Sequence, residues 1–63
     1  MTPHELIDHL GKEANFIGNP KCKVIIESVY WSYKEKKMFV AVREVDKKYN
    51  ATFQTKPDYL EKI

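Results

Sequence analysis

The residues best suited to chemistry are two histidines, one cysteine and nine carboxylates, and their spacing indicates no active site. His4 and His9 are five residues apart, so they do not share one face of a helix. Zinc sites usually take paired ligands at short intervals, a pattern that these histidines and Cys22 do not form. A glycine-rich phosphate loop is excluded, because the only glycines are Gly11 and Gly18. We therefore expect no enzyme activity, no metal and no cofactor.

The size and charge of the chain limit the classes of protein to consider. Its 63 residues suffice for a single domain, residues 1–63, with a small core. A net charge of +2 is too small to identify a nucleic-acid binder and has the wrong sign for an acidic mimic of DNA. No stretch approaches the roughly 20 apolar residues of a membrane helix, and no signal-peptide pattern is present. One cysteine cannot form an intramolecular disulfide, so we expect a cytoplasmic protein without membrane contact.

The N-terminus carries a helix-start signal. Thr2 is a good N-cap, Pro3 suits the first helical position, and Glu5 completes a capping box with Thr2. Apolar residues then recur at helical spacing, at Leu6, Ile7, Leu10, Ala14 and Ile17. The pattern predicts an N-terminal helix that ends at Gly11 or, at the latest, at the turn of residues 18–20.

From Cys22 onward the apolar period changes to two, which is typical of strands. Clusters of β-branched and aromatic residues predict strands over Lys23–Tyr33, Met38–Val45 and Tyr49–Thr55. Their short connections favour an antiparallel meander. We expect Asp58–Ile63 to form a helical turn or a tail. The predicted fold class is therefore α+β, an N-terminal helix packed on a three-stranded antiparallel meander sheet, with or without a short C-terminal helical turn.

The apolar residues of the first strand change parity midway. A β-bulge near Glu27-Ser28 would bring both halves of this strand to the helix-covered face. The predicted core is then Leu6, Ile7, Leu10, Ile17, Val24, Ile26, Val29, Trp31, Met38, Val40, Val42, Ala51 and Phe53. The opposite parity leaves Tyr30, Phe39 and Arg43 on the uncovered face of the sheet.

Tyr30, Phe39 and Arg43 are the candidate partner-binding residues. Tyrosine and arginine are enriched at the hot spots of protein interfaces, and a free edge strand accepts a strand from a partner. A small domain also gains stability from a partner that binds only its folded form. We therefore expect a small regulator or inhibitor, of the type encoded by bacteria and phages, that modulates a partner protein through a sheet face or edge. A homodimer through the same face is the related alternative.

Nucleic acid is the alternative ligand. The strand-forming part of the chain is basic and aromatic, so its rings can stack on bases while its lysines meet phosphates. The candidate residues for this interpretation are Lys34, Lys36, Lys37, Lys47, Lys48 and Tyr49. Contacts between lysine and phosphate release counterions, so a steep salt dependence of binding would distinguish this alternative from a protein interface.

Overall fold

The computed structural model describes residues 1–19, 21–45 and 51–63. More than half of these residues lie in β-strands. The elements are α1 (Pro3–Asp8), β1 (Glu13–Phe16), β2 (Cys22–Ser32), β3 (Lys37–Glu44), β4 (Thr52–Thr55), a 3₁₀ turn (Pro57–Tyr59) and β5 (Leu60–Lys62). The strands form one antiparallel sheet in the order β4-β3-β2-β1-β5. The expected helix on a three-stranded sheet is therefore wrong.

The helix begins as its sequence predicts and ends at Asp8, three residues before Gly11, the earlier of its two predicted ends. Thr2 Oγ1 accepts a hydrogen bond from Glu5 N at 3.3 Å, and Thr2 N donates to Glu5 Oε1 at 2.9 Å, which completes the capping box. Gly11 then adopts a φ of +78°, outside the right-handed helical region. Its N–H donates to the carbonyl of Ile26, and Ile26 N donates to the carbonyl of Lys12. The chain thus joins the sheet where the long helix was expected.

The strand β1 lies inside the sheet, between β2 and β5. Ala14 is opposite Val24 on one side and Lys62 on the other. The chain reaches β5 through Pro57, whose fixed φ and missing N–H suit the start of a 3₁₀ turn. Residues expected to be a helical turn or a tail therefore form the 3₁₀ turn and then an edge strand, and Leu60 becomes a core residue.

The central hairpin is close to its predicted form. Strands β2 and β3 lie within one residue of the predicted bounds at each end, and their register shifts between Ile26 and Ser28, where a bulge was predicted. The third predicted strand is shorter, since β4 begins at Thr52. Tyr49 and the predicted turn at residues 46–48 lie outside the described residues.

The core is made from residues of all the main elements except β4. Its buried members are Leu6, Ala14, Val24, Ile26, Val40, Val42 and Leu60. Five residues expected in the core are exposed instead: Ile7, Leu10, Ile17, Trp31 and Ala51. Leu10 and Ile17 depended on a helix that continues past residue 8, whereas Ile7 lies within α1 and is exposed. Trp31 lies on the part of β2 that β1 does not reach. Val29, Met38 and Phe53 are half-buried against the core, as their parity requires.

The sheet is rolled rather than flat. Two strands separate β1 from β4, which in a flat sheet corresponds to about 14 Å between their backbones. The rings of Phe16 on β1 and Phe53 on β4 nevertheless meet edge to face, with centroids 5.0 Å apart. Tyr59 of the 3₁₀ turn joins them, 6.2 Å from Phe16. The core side chains cover the concave inner face of the sheet. The side chains that alternate with them along each strand lie on the convex outer face.

Candidate binding surface

The distal half of the β2–β3 hairpin extends past the neighbouring strands. In the described residues, β1 pairs with β2 only over Cys22–Ile25, and β4 pairs with β3 only over Val40–Arg43. Beyond these points, β2 and β3 continue to pair with each other as far as Ser32 and Lys37. The hairpin therefore ends in a two-stranded ribbon, and the residues predicted to bind a ligand lie mostly on it.

Tyr30 and Phe39 stand directly opposite each other on the outer face of this ribbon. Their rings are stacked, with centroids 6.0 Å apart and an interplanar angle of 28°. The bulge before Ser28 produces this pairing, because it shifts the parity of β2 relative to β3. Tyr30 remains 36% exposed. The structure thus brings together two of the three predicted partner-binding residues.

Arg43 lies on the same face but apart from the aromatic pair. It is four residues from Phe39 along β3, about 13 Å for an extended strand. Its Nε donates to Glu27 Oε1 at 3.1 Å, and both side chains are partly exposed. Small side chains, Ser28 opposite Ala41, occupy the space between. Sequence reasoning did not include Glu27, although its place in the predicted bulge was a usable signal.

An open groove continues the aromatic surface from Phe39 toward the 3₁₀ turn. Its volume is about 630 Å³, and its lining includes Ile17, Gln54 and Tyr59. Ile17 is 36% exposed and Tyr59 47% exposed. Among the described residues, Lys56 is the only charged one in the lining. We call Tyr30, Phe39, Ile17 and Tyr59 the apolar strip. Sequence reasoning missed Ile17 and Tyr59, because one was assigned to the core and the other to a terminal turn.

The lysines proposed for nucleic acid lie at the far end of the ribbon. Lys34 and Lys36 are in the turn, Lys37 begins β3, and all three are exposed. Two aromatic residues accompany them, Trp31 at 50% exposure and Tyr33 at 85% exposure. The other predicted residues, Lys47, Lys48 and Tyr49, lie outside the described residues.

Two titratable side chains at the N-terminal helix, Glu5 and His9, have structural partners. Glu5 accepts hydrogen bonds from the Lys62 ammonium and from Thr2, and these contacts lower the pKa of its carboxyl to about 2. His9 Nδ1 donates to the carbonyl of Glu5 at 2.9 Å. Among the described residues, no three His, Cys, Asp or Glu side chains are grouped to hold a metal ion.

Comparisons with known proteins identified no similar protein. No protein-family model, curated protein or solved structure matches the chain. No helix in the described part of the chain has the length and apolar character needed to cross a membrane.

Proposed function

We propose that the protein is a small, non-enzymatic binding protein that modulates or inhibits a partner protein, which docks on the apolar strip. The observation that carries this proposal is the stacked pair of Tyr30 and Phe39 on the outer face. Neither ring belongs to the described core or to the residues packed against it. Rigid aromatic side chains outside the core are typical anchors of protein interfaces.

The charge of the outer face supports a protein partner rather than a polyanion. Arg43 and Glu27 neutralise each other at one end, and Ser28 and Ala41 add no charge in the middle. The groove at the other end has Lys56 as its single charged residue within the described part of the chain. Lys37, opposite Ser32, adds one exposed positive charge beyond the aromatic pair. An apolar centre with a polar rim that carries few charges is the usual anatomy of a protein–protein interface.

The edge strand β4 supports the same proposal. In the described residues β4 pairs only with β3, so its other edge has main-chain groups available to an added strand. Gln54 and Thr55 of this strand also line the groove. An extended segment of the partner can therefore hydrogen-bond along β4 while it places side chains against Phe39 and Tyr59.

The regulatory role and the location belong to the proposal as well. A domain of this size acts on a partner by covering part of its surface, so occlusion is the proposed means of modulation. We assign the protein to the cytoplasm, where a chain with one cysteine needs no disulfide for stability.

The test is a binding titration with a partner isolated from nuclease-treated extract of the source cells. Tyr30→Ala and Phe39→Ser should each weaken binding by at least about 1–2 kcal/mol, because each removes an anchor. Tyr33→Ala is the matched control, since it removes an exposed tyrosine from the same hairpin but not from the apolar strip. Thermal melts of all variants establish that the fold survives.

Two outcomes would change the proposal. Normal affinity of both strip variants would exclude the outer face as the docking surface. A wild-type dimer that Phe39→Ser converts to a monomer, measured by sedimentation, would identify the occupant as a second copy of the chain.

A further inference from the structure

The tip of the β2–β3 hairpin, residues 31–37, has a composition that the fold does not require. Trp31 is half exposed, and Tyr33 is 85% exposed. Three exposed lysines, Lys34, Lys36 and Lys37, accompany them. Neither ring is part of the described core or of the apolar strip. Large rings that are exposed together at one place on a surface can mark an interaction site.

The net positive charge of the protein equals the net charge of this tip. Three lysines and Glu35 give the tip +2, and the net charge of the whole chain is also +2. Removing these four residues from the totals of 11 basic and 9 acidic residues leaves 8 of each. The tip therefore carries a positive charge that attracts an anion, and, unlike the lysines at residues 21 and 23, it combines this charge with two exposed rings that favour an anion with flat, stackable groups.

We propose that the hairpin tip binds single-stranded nucleic acid without sequence preference. Bases stack on Trp31 and Tyr33, while the phosphates meet the ammonium groups of the neighbouring lysines. Stacking of this kind needs unpaired bases, which a duplex does not offer. Reading base edges in a duplex favours arginine, and the only arginine, Arg43, is held by Glu27 away from the tip.

The turn is held in shape before a ligand arrives. Ser32 Oγ accepts a hydrogen bond from Glu35 N at 3.3 Å. Lys36 adopts a left-handed φ of 55°, which reverses the chain into β3. A preformed turn lowers the ordering cost of binding, because its backbone has already adopted one conformation.

This site is separate from the proposed docking surface. Trp31 is opposite Met38, on the inner parity of the ribbon, whereas Tyr30 is opposite Phe39 on the outer parity. Trp31 and the Tyr30–Phe39 pair therefore lie on opposite faces of the hairpin, whereas Lys37, opposite Ser32, shares the outer parity. The rings of each surface can be removed without removing those of the other. The nucleic-acid proposal therefore goes beyond the proposed function, and neither depends on the other.

The experiment titrates the protein with an oligothymidylate of about 12 nucleotides and follows the fluorescence of Trp31, the only tryptophan. The wild type should bind with quenching. Tyr33→Ala should weaken binding about tenfold or more, the loss expected for one stacked base. Changing Lys34, Lys36 and Lys37 together to Gln should lower the salt slope of log K by about two, at about 0.7 per phosphate contact.

Matched controls separate this site from general attraction to a weakly basic protein. Lys12, Lys21 and Lys23 are also exposed, so their triple change to Gln alters the net charge equally. The control should retain most of the affinity, as should Tyr30→Ala. Equal losses in the two lysine triples, equal binding of a duplex, or unchanged binding by Tyr33→Ala would each overturn the proposal. Circular dichroism of every variant confirms that folding is not the cause of a loss.

Discussion

Glu5 performs two tasks in the fold with one carboxylate. It completes the capping box at the start of α1, and it forms an ion pair with Lys62 of β5. One side chain therefore connects α1 and β5, the first and last elements of the described structure. The capping box is visible in the sequence, whereas the partner on β5 is 57 positions away and becomes apparent only from the fold.

The lowered pKa of Glu5 predicts a pH dependence of stability. The folded state favours the ionised carboxylate, so the contribution is complete above the ordinary pKa of 4.5 and is lost as the pH falls toward about 2. Glu5→Gln should therefore lower the melting temperature above pH 4.5, and this difference from the wild type should shrink between pH 4.5 and pH 2. Glu61→Gln, an exposed carboxylate on β5, is the control. A difference that stays constant through this range would contradict the assignment.

For single residues, the alternation of apolar and polar positions along a strand was the most informative feature of the sequence, because it predicts the face of the sheet on which each side chain lies. Alternation along β3 and the bulge in β2 suffice to put Tyr30 and Phe39 on one face, where the structure stacks them. The same reasoning put Arg43 beside them, but it ignored the length of an extended strand. Groove residues such as Tyr59 depend on how the sheet rolls, which alternation does not encode.

At the scale of elements, the central hairpin was predictable and the strands at both ends of the chain were not. Strand β1 is four residues long, and β5 is three. Segments this short carry too few residues to show a period, and their stability comes from pairing with β2 and with each other. The helical spacing that continues to Ile17 was misleading, because α1 ends at Asp8. Gly11 then leaves the right-handed helical region, and the backbone hydrogen-bonds to Ile26 instead.

Leu60 and Trp31 provide the test of the five-stranded arrangement. Leu60→Ala should destabilise the protein by roughly 2–5 kcal/mol, because it leaves a cavity beneath β5. Trp31→Ala should cost less than Leu60→Ala, because half of the Trp31 side chain is already in water. Urea denaturation measures both. The reverse order would favour the three-stranded arrangement, and iodide should quench Trp31 efficiently in the folded wild type.

At the scale of the whole molecule, the curvature of the sheet determines which side chains meet to form the groove of the candidate binding surface. It brings Phe16, Phe53 and Tyr59 together and thereby forms the groove beside Phe39. Gly18 permits this arrangement, because a Cβ at that position would lie 2.2 Å from Phe16 Cζ. The stacked pair of the apolar strip, Tyr30 and Phe39, then lies on the same hairpin as the basic tip, while the two surfaces differ in charge.

Gly18→Ala should loosen the closure of the sheet. The Phe16 ring must move to admit the methyl group, and overpacking of this kind costs typically 1–3 kcal/mol. Asn19→Ala, one residue further along the same loop, should change stability by no more than about 0.5 kcal/mol. A double-mutant cycle with Phe16→Leu should show coupling, because leucine lacks the ring atoms that a Cβ at position 18 would contact. Strict additivity would show that Gly18 does not support the ring.

The bulge at Glu27 also determines how the fold responds to a mutation that deletes one codon in β2. Along β2, removing one residue normally turns every following side chain to the other face. Removing Glu27 instead restores a regular ladder, in which Ile26 still points inward and Ser28 outward, and Tyr30 still meets Phe39. The losses are confined to the partner of Arg43 and to the local bend that the extra residue imposes. In β2, a deletion at this codon therefore preserves the inside-outside pattern on which both surfaces depend.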